Sequence, residues 1–110
     1  MTIKFIKWDF DAWQNYLYWE KRDKVLFKKA NKIIKDMKRS PFEGIGKPEA
    51  LKNNLSGLWS RRIDKENRIV YLVDDDAIVI LQCGGHYWRK SYEFCGDPIK
   101  LDLIPGLVVY

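Results

Sequence analysis

The chain has 110 residues, with 20 Lys and Arg against 15 Asp and Glu, a formal charge of +5, and 46% hydrophobic residues. That length suits one compact domain of two layers, and the basic balance favours a polyanionic partner over an acidic one. The excess lies in residues 1–87, which carry 17 basic and 12 acidic residues; the last 23 carry three of each. Two cysteines, Cys83 and Cys95, do not make a secreted disulfide framework, and a single histidine leaves no metal-ligand cluster. The longest apolar run, Ala77 to Leu81, is far short of the roughly 20 residues that span a bilayer. A reducing cytoplasm is therefore the expected compartment, with no membrane, metal or cofactor.

In chain order, Thr2–Trp8 alternates apolar and polar residues and reads as a strand. Asp9 is placed to cap a helix in which Phe10, Trp13 and Leu17 recur at helical spacing, with Tyr16 beside them, to about Arg22. Leu26, Ala30, Ile33, Ile34 and Met37 form one apolar stripe of a second helix, with Lys28, Lys29, Lys32 and Lys35 on its other face. Ser40-Pro41 stops it. A short charged turn makes the two helices an antiparallel hairpin. Phe5, Trp8, Trp13, Tyr16 and Trp19 are assigned mostly to the core.

Pro41–Pro48 is a loop by composition, and Glu49–Leu55 is expected to hold a helical turn. Leu58–Ile63, Arg68–Val73 and Ala77–Cys83 read as strands joined by short polar links. The fold class is α+β: an N-terminal strand and a two-helix hairpin packed on one face of a mostly antiparallel sheet, the other face left for function. Residues 88–110 have no helical period and two prolines; they read as a C-terminal extension, either natural or cloning read-through, beyond a domain at 1–87.

Metal-free RNA cleavage needs a base for the 2′-hydroxyl, an acid for the leaving 5′-oxygen and cations for the phosphate. His86, after two glycines and before Tyr87, is either the acid or a solvated residue at a strand end. Glu49, between Lys47 and Lys52, is either the base or a surface ion-pair partner. Arg61, Arg62 and Arg68 are the candidate cations, since the guanidinium fork suits phosphate. An even, tight hairpin puts Arg62 and Arg68 on opposite faces; an odd loop or a bulge puts them together, as catalysis needs. Lys47 and Lys52 could steer an RNA backbone. Tyr87, with Trp59 or Trp88, could stack a base, although core packing suits Trp59 better.

Pro41-Phe42-Glu43-Gly44, Gly46-Lys47-Pro48-Glu49, Leu51-Lys52, Asn54-Leu55-Ser56-Gly57-Leu58-Trp59-Ser60-Arg61-Arg62-Ile63, Arg68-Ile69-Val70-Tyr71 and His86-Tyr87 together resemble the YoeB (Txe) branch of the RelE/ParE toxin superfamily, and Tyr16-Leu17-Tyr18-Trp19 fits too. The resemblance covers about residues 3–87. It implies a RelE-like toxin endoribonuclease of a toxin–antitoxin system, cutting messenger RNA in the ribosomal A site, restrained by a cognate antitoxin and often working as a homodimer. It places the general base on Glu49, the general acid on His86 and the phosphate-binding arginines on Arg62 and Arg68. Lys52 matches a basic RNA contact, and Tyr87 the tyrosine beside the acid. The family ends at or near this His-Tyr pair, whereas 23 residues follow here. The rival expectation is a non-catalytic module of the same fold that binds ribosome, RNA or antitoxin.

Overall fold

A computed structural model describes residues 2–84. His86, Tyr87, Trp88, Cys95 and the extension 88–110 lie outside the described residues.

Strand β1, Phe5–Trp8, runs into helix α1, Phe10–Arg22. Asp9 sits between them as the helix cap, its carboxylate accepting the N–H groups of Asp11 and Ala12 at 3.0 and 3.3 Å. Asp23 alone separates α1 from α2, Lys24–Arg39. Its N–H closes α1 on the Trp19 carbonyl, and its side chain caps α2 through the Leu26 N–H. One residue serves both ends, so the helices fold back on each other, and Tyr16 Oη donates to Asn31 Oδ1 across them at 2.6 Å.

Strands β2 (Glu49–Ala50), β3 (Trp59–Arg62), β4 (Arg68–Asp74) and β5 (Ala77–Cys83) complete a five-stranded sheet in the order β1-β5-β4-β3-β2. β1 is parallel to β5; every other pairing is antiparallel. The α+β expectation holds. One element differs: Glu49 and Ala50 pair with Ser60 and Trp59 as a short edge strand, and the expected helical turn shrinks to one 3₁₀ turn at Asn53–Leu55.

The main core lies between helices and sheet, where Leu26, Ala30, Ile33, Ile34 and Met37 meet Ile69, Tyr71, Ile78, Ile80 and Cys83. The apolar stripe of α2 is thus the buried one, as its spacing predicts. A smaller cluster of Leu58, Val70 and Leu81, with Leu51, Leu55, Leu72 and Val79 against it, covers part of the opposite face. Trp8, Tyr16 and Trp19 pack against the main core. Phe5 and Trp13 do not join it and stay 56% and 40% exposed. β1 is an edge strand, so one flank has no neighbour to cover its side chains. No helix among the described residues is long and apolar enough to cross a membrane.

Candidate active site on the open sheet face

The link between β3 and β4 decides which arginines share a face. Arg62 and Arg68 are direct cross-strand partners, so the loop between them is residues 63–67, an odd count. Asp64 builds it: its carboxylate accepts the N–H groups of Glu66 and Asn67, both at 2.8 Å, and the Asn67 side-chain amide. Burial opposes charge on Asp64, but those N–H donors outweigh it and hold the carboxyl below its usual range. The Ile63 N–H closes the loop on the Asn67 carbonyl at 2.8 Å. Directly opposed residues point to one side of a sheet, so Arg62 and Arg68 lie on the same face, the arrangement that the catalytic expectation needs.

β2 brings the carboxylate to them. Glu49 pairs with Ser60, two residues along β3 from Arg62, and so shares its face. Arg68 Nη1 reaches Glu49 Oε1 at 3.1 Å and Ser60 Oγ at 3.0 Å. Arg68 is largely sheltered and Glu49 more than half exposed, so the arginine is held and the carboxylate is open to a ligand. Ser60, buried beneath the pair, was not singled out from sequence. Its parity with Arg62 along β3 was the available signal. Lys47, two residues before Glu49, and Lys52, three after it, are both exposed at this edge. Lys47 has a left-handed backbone, φ 50°.

The chain leaves β5 at the same end. A bulge leaves Leu81 without a partner, because Val70 pairs with Gln82 and Tyr71 with Ile80. Gly84 is then gripped on several sides. Its N–H donates to the Arg68 carbonyl at 2.7 Å, and its own carbonyl accepts from Gln82 Nε2 at 2.8 Å. The preceding carbonyl, of Cys83, accepts from Trp19 Nε1 at 2.8 Å. Gly84 has φ +89°, and a Cβ there would lie 2.6 Å from Trp19 Nε1, so glycine alone fits without displacement. Burial pushes the neighbouring Cys83 thiol up to about 12, which makes it a packing residue rather than a nucleophile.

Arg61 corrects the sequence expectation of an RNA contact. It is fully buried on the helix side of β3, not on the face of Arg62. Strand alternation sends adjacent residues to opposite faces, and on that inner side Arg61 bonds Asp36 at 2.8 Å. Arg39 first, then Arg61 and the Ile45 N–H, hold the Asp36 carboxyl down at about 2 against the effect of burial. A carboxylate near the apolar stripe of α2 was the sequence signal that a cation must come to it.

Of the residues named from sequence, Glu49, Arg62 and Arg68 are gathered on one face, Lys47 and Lys52 flank them, and Arg61 is elsewhere. The family described as YoeB-like toxin of bacterial type II toxin–antitoxin system matches residues 8–87. Toxin YoeB of Escherichia coli is 58% identical over 80 residues, covering 73% of this chain and 95% of that protein. A YoeB/ParE toxin structure from Agrobacterium tumefaciens superposes with a TM-score of 0.73 at 40% identity, covering 76% of this chain and all of that one. YoeB in a heterotetrameric YoeB-YefM toxin–antitoxin complex from Staphylococcus aureus gives 0.71 at 44% identity, covering 79% and 100%. The chain belongs to the YoeB-like toxin family of bacterial type II toxin–antitoxin systems.

Proposed function

We propose that this toxin is a metal-independent endoribonuclease that cuts messenger RNA in the ribosomal A site, with residues 1–87 carrying the activity. The observation that carries the reading is the Glu49–Arg68 pair at 3.1 Å, with Arg62 beside Arg68 on the same open face. A carboxylate that accepts a proton and guanidinium groups that hold a phosphate are two of the three functions the reaction needs. The third falls to His86, which follows Gly84 by two residues in the sequence.

In this mechanism Glu49 takes the 2′-hydroxyl proton and the 2′-oxygen attacks the adjacent phosphorus. Arg62 and Arg68 hold the phosphate oxygens as charge builds on them. Arg68 is already aimed by Ser60 and Glu49, so little reorganisation is needed when the phosphate arrives. His86 gives its proton to the departing 5′-oxygen. The products are a 2′,3′-cyclic phosphate and a 5′-hydroxyl. Lys47 and Lys52 steer the RNA backbone, and Tyr87 stacks or orients beside the acid.

The partners proposed with this activity are the ribosome and its messenger RNA, a cognate antitoxin and a second copy of the chain. The antitoxin and dimer readings draw on the Staphylococcus aureus relatives, one solved as a YoeB-YefM complex and one as a YoeB dimer. Ribosomes place the site of action in the cytoplasm.

The test is cleavage of messenger RNA on programmed ribosomes by the full chain, Glu49→Gln and His86→Ala. The expected result is a cut in the A-site codon with 5′-hydroxyl ends, slowed about a hundredfold or more in each variant. Ends bearing 5′-phosphate, or variants that cut as the parent does, would overturn the mechanism. Ribosome binding without any cut would favour the non-catalytic module.

A further inference from the structure

The buried charged cluster behind the site has no part in the mechanism above. Arg61 is fully buried and all five of its N–H donors are engaged. Nε donates to Tyr71 Oη at 3.1 Å; Nη1 donates to Asp36 Oδ2 at 2.8 Å and the Ile45 carbonyl at 3.2 Å; Nη2 donates to the carbonyls of Ser40 and Glu43. Tyr71 Oη in turn donates to the Pro41 carbonyl at 2.7 Å, and Asp36 Oδ2 accepts the Ile45 N–H at 3.0 Å. Five of these seven bonds end on the backbone of residues 40–45.

That segment has no regular secondary structure, so its inward carbonyls need donors from elsewhere. The arginine fork supplies them in one rigid plane. Two glycines let the loop come this close. A Cβ on Gly44 would meet Asp36 Oδ2 at 1.9 Å, and one on Gly46 would meet the Arg62 carbonyl at 2.9 Å; both have positive φ. The Gly46 carbonyl then accepts the Arg62 N–H at 2.7 Å, and three residues later Glu49 pairs with Ser60. Lys47 is thus strung between two anchors on β3, and Glu49 is the second of them.

We propose that the Asp36–Arg61–Tyr71 cluster is a positioning device for the active site, clamping the 40–46 loop onto β3 so that Lys47 and Glu49 stand beside Arg62 and Arg68. The proposal rests on the ribonuclease reading and adds three residues that touch no RNA. Their polar groups act locally, fixing the approach to β2, while the sheet core stands on Ile69, Ile78, Ile80 and the ring of Tyr71. A clamp that slips by an ångström moves the base off its proton, a misplacement that costs about ten- to a hundredfold in rate.

Tyr71→Phe removes only the hydroxyl that joins Arg61 to Pro41, and Arg61→Lys keeps the charge facing Asp36 but loses the fork. Both full-length variants are compared with the parent by native-state hydrogen exchange and by single-turnover cleavage on programmed ribosomes. The expected result for Tyr71→Phe is that the Ile45 and Arg62 amides exchange about tenfold faster while the Ile69 and Ile80 amides keep the parent rates. Cleavage slows about tenfold and ribosome affinity stays within twofold of the parent. Arg61→Lys, which also gives up global stability, quickens the Ile45 and Arg62 amides more than the Ile69 and Ile80 amides and slows cleavage further. Exchange that quickens at all four amides alike overturns the proposal, because the cluster is then only part of the general stability. A loosened loop with parental cleavage also overturns it, and leaves the ribonuclease reading intact. A parent that does not cut overturns that reading and the positioning role with it, while exchange still reports whether the loop is held.

Discussion

Arg61 and Arg62 are adjacent and chemically identical, yet one is fully buried in a charged cluster and the other is exposed on the sheet's open face. As neighbours on a strand they must face opposite sides. Replacing each by methionine should therefore give opposite results. Arg62→Met is expected to leave stability within about 0.5 kcal/mol, as surface changes do. Arg61→Met leaves the buried Asp36 without its inner partner, and three loop carbonyls and the Tyr71 hydroxyl without this donor, at a cost of about 3–5 kcal/mol. Urea unfolding of the two variants measures the contrast; equal midpoints would remove Arg61 from its structural role. The sequence marked both arginines as candidate cations, because guanidinium chemistry is visible there. Which of the two faces the core depends on where α2 lays Asp36, and that is a tertiary fact.

At the scale of elements, legibility followed how far each one is determined by its own residues. The apolar stripe of α2 and the run Ala77–Cys83 were readable because they carry their own pattern. β2 was not, since two residues have no period and become a strand only by pairing with β3. The odd β3–β4 loop depends on a single carboxylate, Asp64, choosing the N–H groups of Glu66 and Asn67. The exit from β5 is set in the same way, by neighbours distant in sequence. Gly84→Ala forces a side chain into a left-handed backbone and against the Trp19 ring. The expected loss is about 2 kcal/mol. Trp19→Phe, which keeps a ring but loses the bond to the Cys83 carbonyl, should cost about 1 kcal/mol. Thermal unfolding checks both, and a Gly84→Ala midpoint equal to the parent's would mean that the grip on this turn is slack.

For the molecule as a whole, the sheet divides two kinds of chemistry: an apolar core under the helices, and a basic face carrying Arg62, Arg68, Lys47 and Lys52 at one end. Asp36 is the point where α2, the 40–46 loop and β3 are tied together, through Arg39, the Ile45 N–H and Arg61. Its carboxyl is held at about 2, below the ordinary 3.8 of an unfolded chain. A depressed carboxylate contributes stability that is complete above about pH 4 and is lost as pH falls through the folded value. With the solvent around the exposed Arg39 screening part of the effect, that contribution is about 1–2 kcal/mol. Asp36→Asn should therefore unfold at lower urea than the parent at pH 7. The gap should narrow as pH drops from about 4 towards 2, where the parent's own carboxyl takes up its proton. Every other carboxylate is common to both chains and cancels in the difference, so the comparison isolates one group in a protein of net charge +5. A gap that stays constant over that range would show that Asp36 acts by its shape and hydrogen bonds alone, and that its charge does not hold the helix, loop and sheet together.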